Sequence, residues 1–577
     1  MQTLWSQIRK IKWPLSLGLM LALLNAASDL FLPTVMQKIV DNGVAEGDLN
    51  YVLRMAKVML IAAALAICIK YCKNICAIKT GNGYARNMRH DLFEKVLTLS
   101  PHQVDAYGAA TLITRTTNDV TQISNILDAF VRMMVRFPIT CIGGIILTFS
   151  LDREIAWIIL AVVPVIFIIS TYVFMSALPL FKKIQNALDR LNRLLRENLS
   201  GIRVIRAFNR EADHRNRVDQ VNGELEESNV EAETRLGELQ PLMTLLVNLT
   251  IVGMVVYAIF RAKNGTAKTG VLIACIQYAS QILSSVMQSS MLFSRIPRAA
   301  VSARRIDEVM KTEPEISDPE TASPADLDPS APVIEFSHVS YHFPGAEADV
   351  IHDLSFRLEK GKVTALIGAT GSGKTTVIRL MERFFDCTDG SILLHGLDIR
   401  TLSQQETRGY LSPVLQKSYL FSGTLRYNLA LANEAAGTDD SGMYSALDTA
   451  QARIFTDLFP EGLEHTIAQG GTDLSGGQKQ RLSIARALMR PAEVFLFDDS
   501  FSALDFHTDA ALRQALKPRL KEAAVLIIAQ RISTITEADE ILVMEDGRLI
   551  ASGTHESLLA DCPVYREIAA SQGGEDA

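Results

Sequence analysis

The sequence predicts two unlike halves: an α-helical membrane domain with six crossings and long cytoplasmic helical extensions, then an α/β domain built around a phosphate-binding loop. Three observations predict this. Six apolar runs, each near the ~20 residues that a helix needs to cross a bilayer, fall at about 14–36, 52–72, 130–150, 155–178, 241–261 and 270–293. Residues 311–332, KTEPEISDPETASPADLDPSAP, are acidic and carry Pro314, Pro319, Pro324, Pro329 and Pro332, the composition of a linker. From 333 to 577 short apolar strands alternate with helical runs, the pattern of an α/β domain. The expected division is therefore 1–310, 311–332 and 333–577.

Composition narrows the function classes. With 577 residues, 48% hydrophobic and 21% charged, the chain is too long for one domain and too apolar to be disordered. Its net charge, 57 − 64 = −7, argues against a partner held through nucleic-acid phosphates. A mean hydropathy of +0.16 is the average of a lipid-facing half and a soluble half. Seven cysteines without CxxC spacing indicate neither a disulfide framework nor a zinc site. Cys68, Cys72 and Cys76 recur every four residues and read as small apolar groups packed against a neighbouring helix.

The first element, with Trp5, Ile8, Arg9, Lys10, Ile11, Lys12 and Trp13, suits an amphipathic helix on the membrane surface. The first span is too long for a signal peptide's apolar region and has no small-residue cleavage site. Basic residues set the orientation: Arg9, Lys10 and Lys12 precede the first span, Lys73 and Lys79 follow the second, and Lys182 and Lys183 follow the fourth. Both termini are then cytoplasmic, with Arg261 to Lys268 the one dissenting loop. Residues 73–129 and 179–240 are polar and far longer than turns, so each reads as a pair of helices running into the cytoplasm. On the sixth span Gln277, Gln281, Ser284, Ser285 and Gln288 share one face, which lines a wet cavity or bonds neighbouring helices. Asp29, beside Asn25 in the outer third of the first span, is an intramembrane carboxylate: either a substrate-pathway group that attracts cations or a residue of the wet outer vestibule.

The second half carries the chemistry. VTALIGATGSGKTT, residues 363–376, is a strand followed by Gly368, Thr370, Gly371, Ser372, Gly373, Lys374, Thr375 and Thr376, then a helix-forming run. Glycines at this spacing let backbone N–H groups turn onto phosphate oxygens, Lys374 reaches the terminal phosphates, and the Thr375 hydroxyl ligates Mg2+. A second apolar strand, Val494 to Phe497, ends in Asp498, a carboxylate placed to hold the metal opposite Thr375. Between them Leu474, Ser475, Gly476, Gly477 and Gln478 form a second anion-type helix start. It lies about 100 residues downstream, too far for one chain to fold both easily around the same phosphate.

These motifs resemble those of the ATP-binding-cassette (ABC) family, whose signature is LSGGQ. The resemblance implies a head-to-tail dimer with ATP sandwiched between the phosphate loop of one cassette and the signature of the other. Phe343 in VSYHFPG resembles the aromatic that stacks on adenine, Gln416 in SPVLQ the Q-loop residue near magnesium, and Ser502 to Asp505 the D-loop. DLFEKVLTLS with ATLITRTTNDVTQ, and ENLSGIRVIRAFNRE, resemble the intracellular loops of ABC exporters. In the family short helices dock on the cassettes there, which places them at Arg115 to Val120 and Arg210 to Val218. Six spans and one cassette make a half-transporter.

Two departures stand out. The residue after Asp498 is normally Glu and here is Asp499; the switch histidine is replaced by Gln530. A carboxylate withdrawn by about 1.5 Å, one carbon–carbon bond, misplaces the attacking water, and an amide takes up no proton near neutral pH. The intact signature beside these losses implies a heterodimer: this chain supplies a hydrolysis-impaired site and completes the competent site of a second half-transporter. The expected activity is ATP- and Mg2+-dependent export of amphipathic or hydrophobic small molecules across a bacterial inner membrane. A slow homodimeric lipid or peptide exporter, a siderophore importer, or an ATP-gated channel or regulatory subunit would use the same parts.

Overall fold

The computed structural model describes residues 2–263, 268–293, 296–319, 327–346, 348–433 and 439–572. Pro324 of the expected linker and residues 264–267 of the dissenting loop lie outside the described residues. The chain forms two compact units, one of Met1–Thr98 with Val104–Thr312, the other of Leu99–Gln103 with Glu313–Ala577.

Among the described residues of the first unit, six helical segments are long and apolar enough to cross a membrane: Lys12–Val44, Leu49–Thr98, Ala109–Leu151, Arg153–Ser200, Glu211–Arg261 and Thr269–Val286. Leu49–Thr98 has 50 residues, about 75 Å at 1.5 Å per residue, against roughly 30 Å of bilayer hydrocarbon. The excess is the polar extension. Chain reversals are marked by capping groups: Asp152 ends one helix and starts the next, its carboxylate accepting from the N–H groups of Glu154 and Ile155.

Small residues set the helix approaches. A Cβ on Gly18 would lie 2.8 Å from Val131 Cγ1, and one on Gly144 would lie 2.9 Å from Ile282 Cδ1, so both crossings depend on glycine. Of the cysteine stripe only Cys76 is buried; Cys68 and Cys72 are exposed on the protein surface, so the packing expected of all three holds for one. The short helices of the two polar loops also differ from expectation. They are Pro101–Tyr107 and Ile202–Ala207, whereas Arg115–Asp119 is a π-helical turn within a continuing helix and Glu211–Gly237 is a long helix.

In the second unit a six-stranded sheet runs in the order Arg548–Gly553, Glu540–Glu545, Val363–Gly368, Ala524–Ile528, Val494–Asp498, Leu411–Val414. All neighbours are parallel except the first pair. Alternate residues of the central strands feed two cores: Leu366, Leu496 and Leu526 on one face, Ile367, Phe497 and Ile527 on the other. Covered on both sides, these strands read as continuous apolar runs. A four-stranded antiparallel sheet, whose first two strands are Ile334–Tyr341 and Ile351–Leu358, packs beside them. Register pairs Ile528 with both Leu366 and Asp498, so the ends carrying Gly368, Asp498 and Gln530 converge where ligands of open α/β sheets bind.

Candidate nucleotide site and the membrane polar cluster

The phosphate loop follows Val363–Gly368 and turns into the helix Lys374–Met381, with Gly371 at φ +90° and Gly373 at φ +96°. Both angles favour glycine, and a Cβ on Gly373 would also sit 2.6 Å from Ile351 Cδ1. No side chain caps this helix, so its first N–H groups suit an anion. Lys374 Nζ donates to the Gly368 and Ala369 carbonyls at 2.8 and 2.7 Å. A cavity of about 250 Å³ joins this loop to Gln416, Asp498, Asp499 and Gln530.

Burial shapes its charges. It lowers the Lys374 pKa despite attraction from Asp498 and Asp499, and raises that of Asp498 despite a hydrogen bond from Thr375. Thr375 Oγ1 lies 3.4 Å from Asp498 Oδ1, so the hydroxyl and the carboxylate are hard oxygen donors that fit Mg2+, and the Gln416 side chain lines the same cavity. Burial favours the neutral acid of Asp498, and a dication would offset that cost.

Asp499 is held in place. Its φ is +47°, an uncommon left-handed conformation for a residue with a side chain, and its N–H donates to the Ile528 carbonyl at 2.9 Å. Its Oδ2 accepts from Gln530 Nε2 at 2.8 Å and from Gln416 Nε2 at 3.4 Å. The two residues that depart from the family pattern are thus partners. Gln530 is itself clamped: Gln572 Nε2 donates to the Gln530 carbonyl at 2.7 Å, and Gln572 Oε1 accepts from Ile532 N–H at 2.9 Å. Nothing in the sequence pointed to Gln572, because the bond spans about 40 residues and carries no motif.

Phe343 does not line the phosphate-loop cavity; it stands edge-on to Phe385 at 5.6 Å and to Tyr341 at 5.2 Å, so its ring is fixed by aromatic neighbours. His102, 6.4 Å from Phe343, bonds Glu315 at 3.1 Å. In the D-loop Ser502 Oγ donates to the Asp499 carbonyl at 3.0 Å, while Asp505 caps the next helix at Thr508 N–H.

The signature is built differently. Ser475 caps the helix Gly476–Leu488 in a reciprocal box with Gln478. Ser475 and Gly476 are exposed, and none of Leu474 to Gln478 lines the phosphate-loop cavity. One chain brings Gln416, Asp498, Asp499 and Gln530 to its phosphate loop and leaves its signature outside.

In the membrane unit Asp29 is ion-paired: its Oδ2 lies 2.9 Å from Arg136 Nη2. Asn25 is buried and accepts from Lys73 Nζ at 3.0 Å. Gln281 Nε2 donates to the Asp29 carbonyl at 3.1 Å. Gln288 is exposed and Gln277 half-buried on the same helical face. Asp29, expected as a cation-attracting pathway group or a residue of the wet outer vestibule, has a protein cation, Arg136, as its partner. Arg136 opens the helix that carries the third span, and Lys73, read from the sequence as an orientation charge, reaches back to Asn25.

Residues 15–286 match the ABC transporter transmembrane region, and residues 351–502 match the ABC transporter ATPase family. An uncharacterised ABC transporter ATP-binding protein of Mycobacterium tuberculosis is 37% identical over 98% of this chain and 97% of its own length. The chain belongs to the ABC transporters. An ATP-dependent lipid A-core flippase of Pseudomonas syringae is 30% identical over 85% of this chain and 80% of its own. A bacterial Atm1-family ABC exporter with ATP bound superposes with a TM-score of 0.79, at 25% identity over 98% of this chain and 99% of the other. This ABC transporter is accordingly a multi-pass exporter that couples ATP hydrolysis to transport.

Proposed function

We propose that this ABC exporter chain is one half of a heterodimer that moves amphipathic or hydrophobic small molecules out of a bacterial cell, with both termini in the cytoplasm. Its own phosphate loop holds ATP and Mg2+ but hydrolyses slowly, and its signature completes the competent site of the partner. Cleavage of the bound phosphoanhydride supplies the driving free energy. The observation that carries this reading is the Asp499 carboxylate, one methylene short and bonded at 2.8 Å to the Gln530 amide.

The chemistry of the site supports it. A glutamate would reach a water over the γ-phosphate position; Asp499 falls short, and a displacement of about 1 Å costs roughly a hundredfold in rate. Gln530 donates to that carboxylate and competes with any water for it. Lys374, Thr375 and Asp498 retain the groups that bind nucleotide and metal, so binding survives while water activation does not. Ser475 and the N–H groups after it remain to face a partner's nucleotide.

The test is subunit composition with paired substitutions. The transporter isolated from its native membrane should contain a second half-transporter carrying Glu and His where this chain has Asp499 and Gln530. Ser475→Ala should remove most ATPase activity and Asp499→Asn little. A homodimer in which both changes remove activity equally overturns the proposal.

A further inference from the structure

Within the six apolar runs expected to span the membrane, Asp29 is the one acidic residue, against six basic ones: Arg54, Lys57, Lys70, Arg132, Arg136 and Arg261. That carboxylate is already committed to Arg136 at 2.9 Å. Around it lie Lys73, whose Nζ donates to Asn25 Oδ1 at 3.0 Å and the Arg132 carbonyl at 3.4 Å, and Arg132, which pairs with Asp128 at 2.8 Å. Three cations (Lys73, Arg132, Arg136) thus meet two carboxylates (Asp29, Asp128), and Lys70 also acts on Lys73, so positive charge is in excess. Arg136 keeps a second feature: its Nε is buried and has no hydrogen-bond partner.

The cluster is open on one side. The side chains of Asp29, Arg136 and Arg132 are 24%, 27% and 32% exposed, while Lys73 and Asn25 are buried behind them. Gln281 joins it to the sixth span, whose exposed Ser284 and Gln288 continue a polar face. Guanidinium and amide groups facing lipid would be costly, so this open side faces a wet cavity. An arginine there that is partly exposed and has one carboxylate partner suits a carboxylate or phosphate oxygen, which its guanidinium N–H groups bind.

We infer that the Asn25–Asp29–Lys73–Arg136 cluster is the headgroup site of the transported molecule, and that the exporter selects anionic amphiphiles over cationic ones. This rests on the amphipathic-substrate reading above and fixes the sign of the charge. Arg136 is the contact residue. Lys73 holds Asn25 and the Arg132 backbone, and keeps the site cationic when Asp29 neutralises Arg136.

The test is a charge series on one chain length, with the purified transporter in proteoliposomes: oleate, methyl oleate and oleylamine, read as ATP-dependent transport and as half-maximal ATPase stimulation. Oleate should act at least tenfold below methyl oleate, and oleylamine should not be transported. Arg136→Gln should raise the oleate midpoint about tenfold and leave the methyl oleate midpoint unchanged. Asp29→Asn keeps the shape of the site and releases Arg136, so oleate should act at equal or lower concentration. Preference for oleylamine in the unaltered protein, its loss in Asp29→Asn, or equal midpoint shifts for all three compounds in Arg136→Gln would each overturn the inference. ATP-dependent transport of all three with equal midpoints overturns the charge selection and leaves the amphipathic reading standing. No transport of any of them removes that reading, and this inference with it.

Discussion

The phosphate loop and the signature are both glycine-rich starts of helices, yet the structure treats them in opposite ways. Around the phosphate loop four elements converge, and the one carboxylate placed to activate water is tied to amides from two of them. At the signature Ser475 and Gln478 satisfy each other and present an exposed helix end. The first gathers its groups around one cavity; the second is an intact helix start that lies outside that cavity. The difference teaches that the departures from the family pattern are local to residues 499 and 530 and leave the signature helix start intact.

The sharpest way to break that contrast is Ser475→Ala. On the proposed reading Ser475 faces a partner's nucleotide, where removing a donor to developing charge costs on the order of a hundredfold in turnover, whereas the lost helix cap costs only about 1 kcal/mol of stability. A large fall in ATPase rate with a thermal midpoint only a few degrees lower is expected. Next in size is repair: Asp499→Glu with Gln530→His should raise γ-phosphate cleavage at this chain's site by roughly tenfold or more, measured with the partner's own site disabled. Adding Gln572→Ala to the repaired protein should return much of that gain, because the clamp on residues 530 and 532 is lost. Asp499→Asn in the unrepaired transporter should change ATPase activity less than twofold.

The smallest effect concerns stability. Glu382 ends the phosphate-loop helix almost fully buried, and burial pushes its pKa up to about 7. A carboxyl whose folded pKa lies above its unfolded value favours folding at low pH, and that contribution is lost as pH rises from about 4.5 through 7. The loss amounts to roughly 3 kcal/mol. Glu382→Gln should flatten the fall in the ATPase domain's thermal midpoint between pH 5 and pH 8; an unchanged slope would show that another group carries it.

Much of this was legible in the sequence because local rules carried it. The six apolar runs became six helices since bilayer thickness fixes their length, and the strand–loop–helix around Gly368 to Thr376 folds as its glycine spacing requires. Asp499 and Gln530 were legible as departures, but their mutual bond was not, since it joins two strand ends 31 residues apart. The membrane polar groups were least legible. Asp29 was legible as an intramembrane carboxylate but its partner was not, because Arg136 lies over 100 residues away, and Lys73 looked like an orientation charge because hydropathy does not say which way a long side chain reaches. The short helices of the polar loops begin elsewhere than the family resemblance places them, since the breaks at Gly108 and Gly201 decide where those loops bend.

The most direct test of the central claim follows the γ-phosphate at this chain's own site. The assembled transporter is incubated with photoreactive ATP labelled in either the α- or the γ-phosphate, allowed several turnovers, then irradiated and separated into subunits. Equal α and γ label on this chain, with γ label lost from the partner, is the predicted result. Loss of γ label from this chain within one turnover would contradict the account.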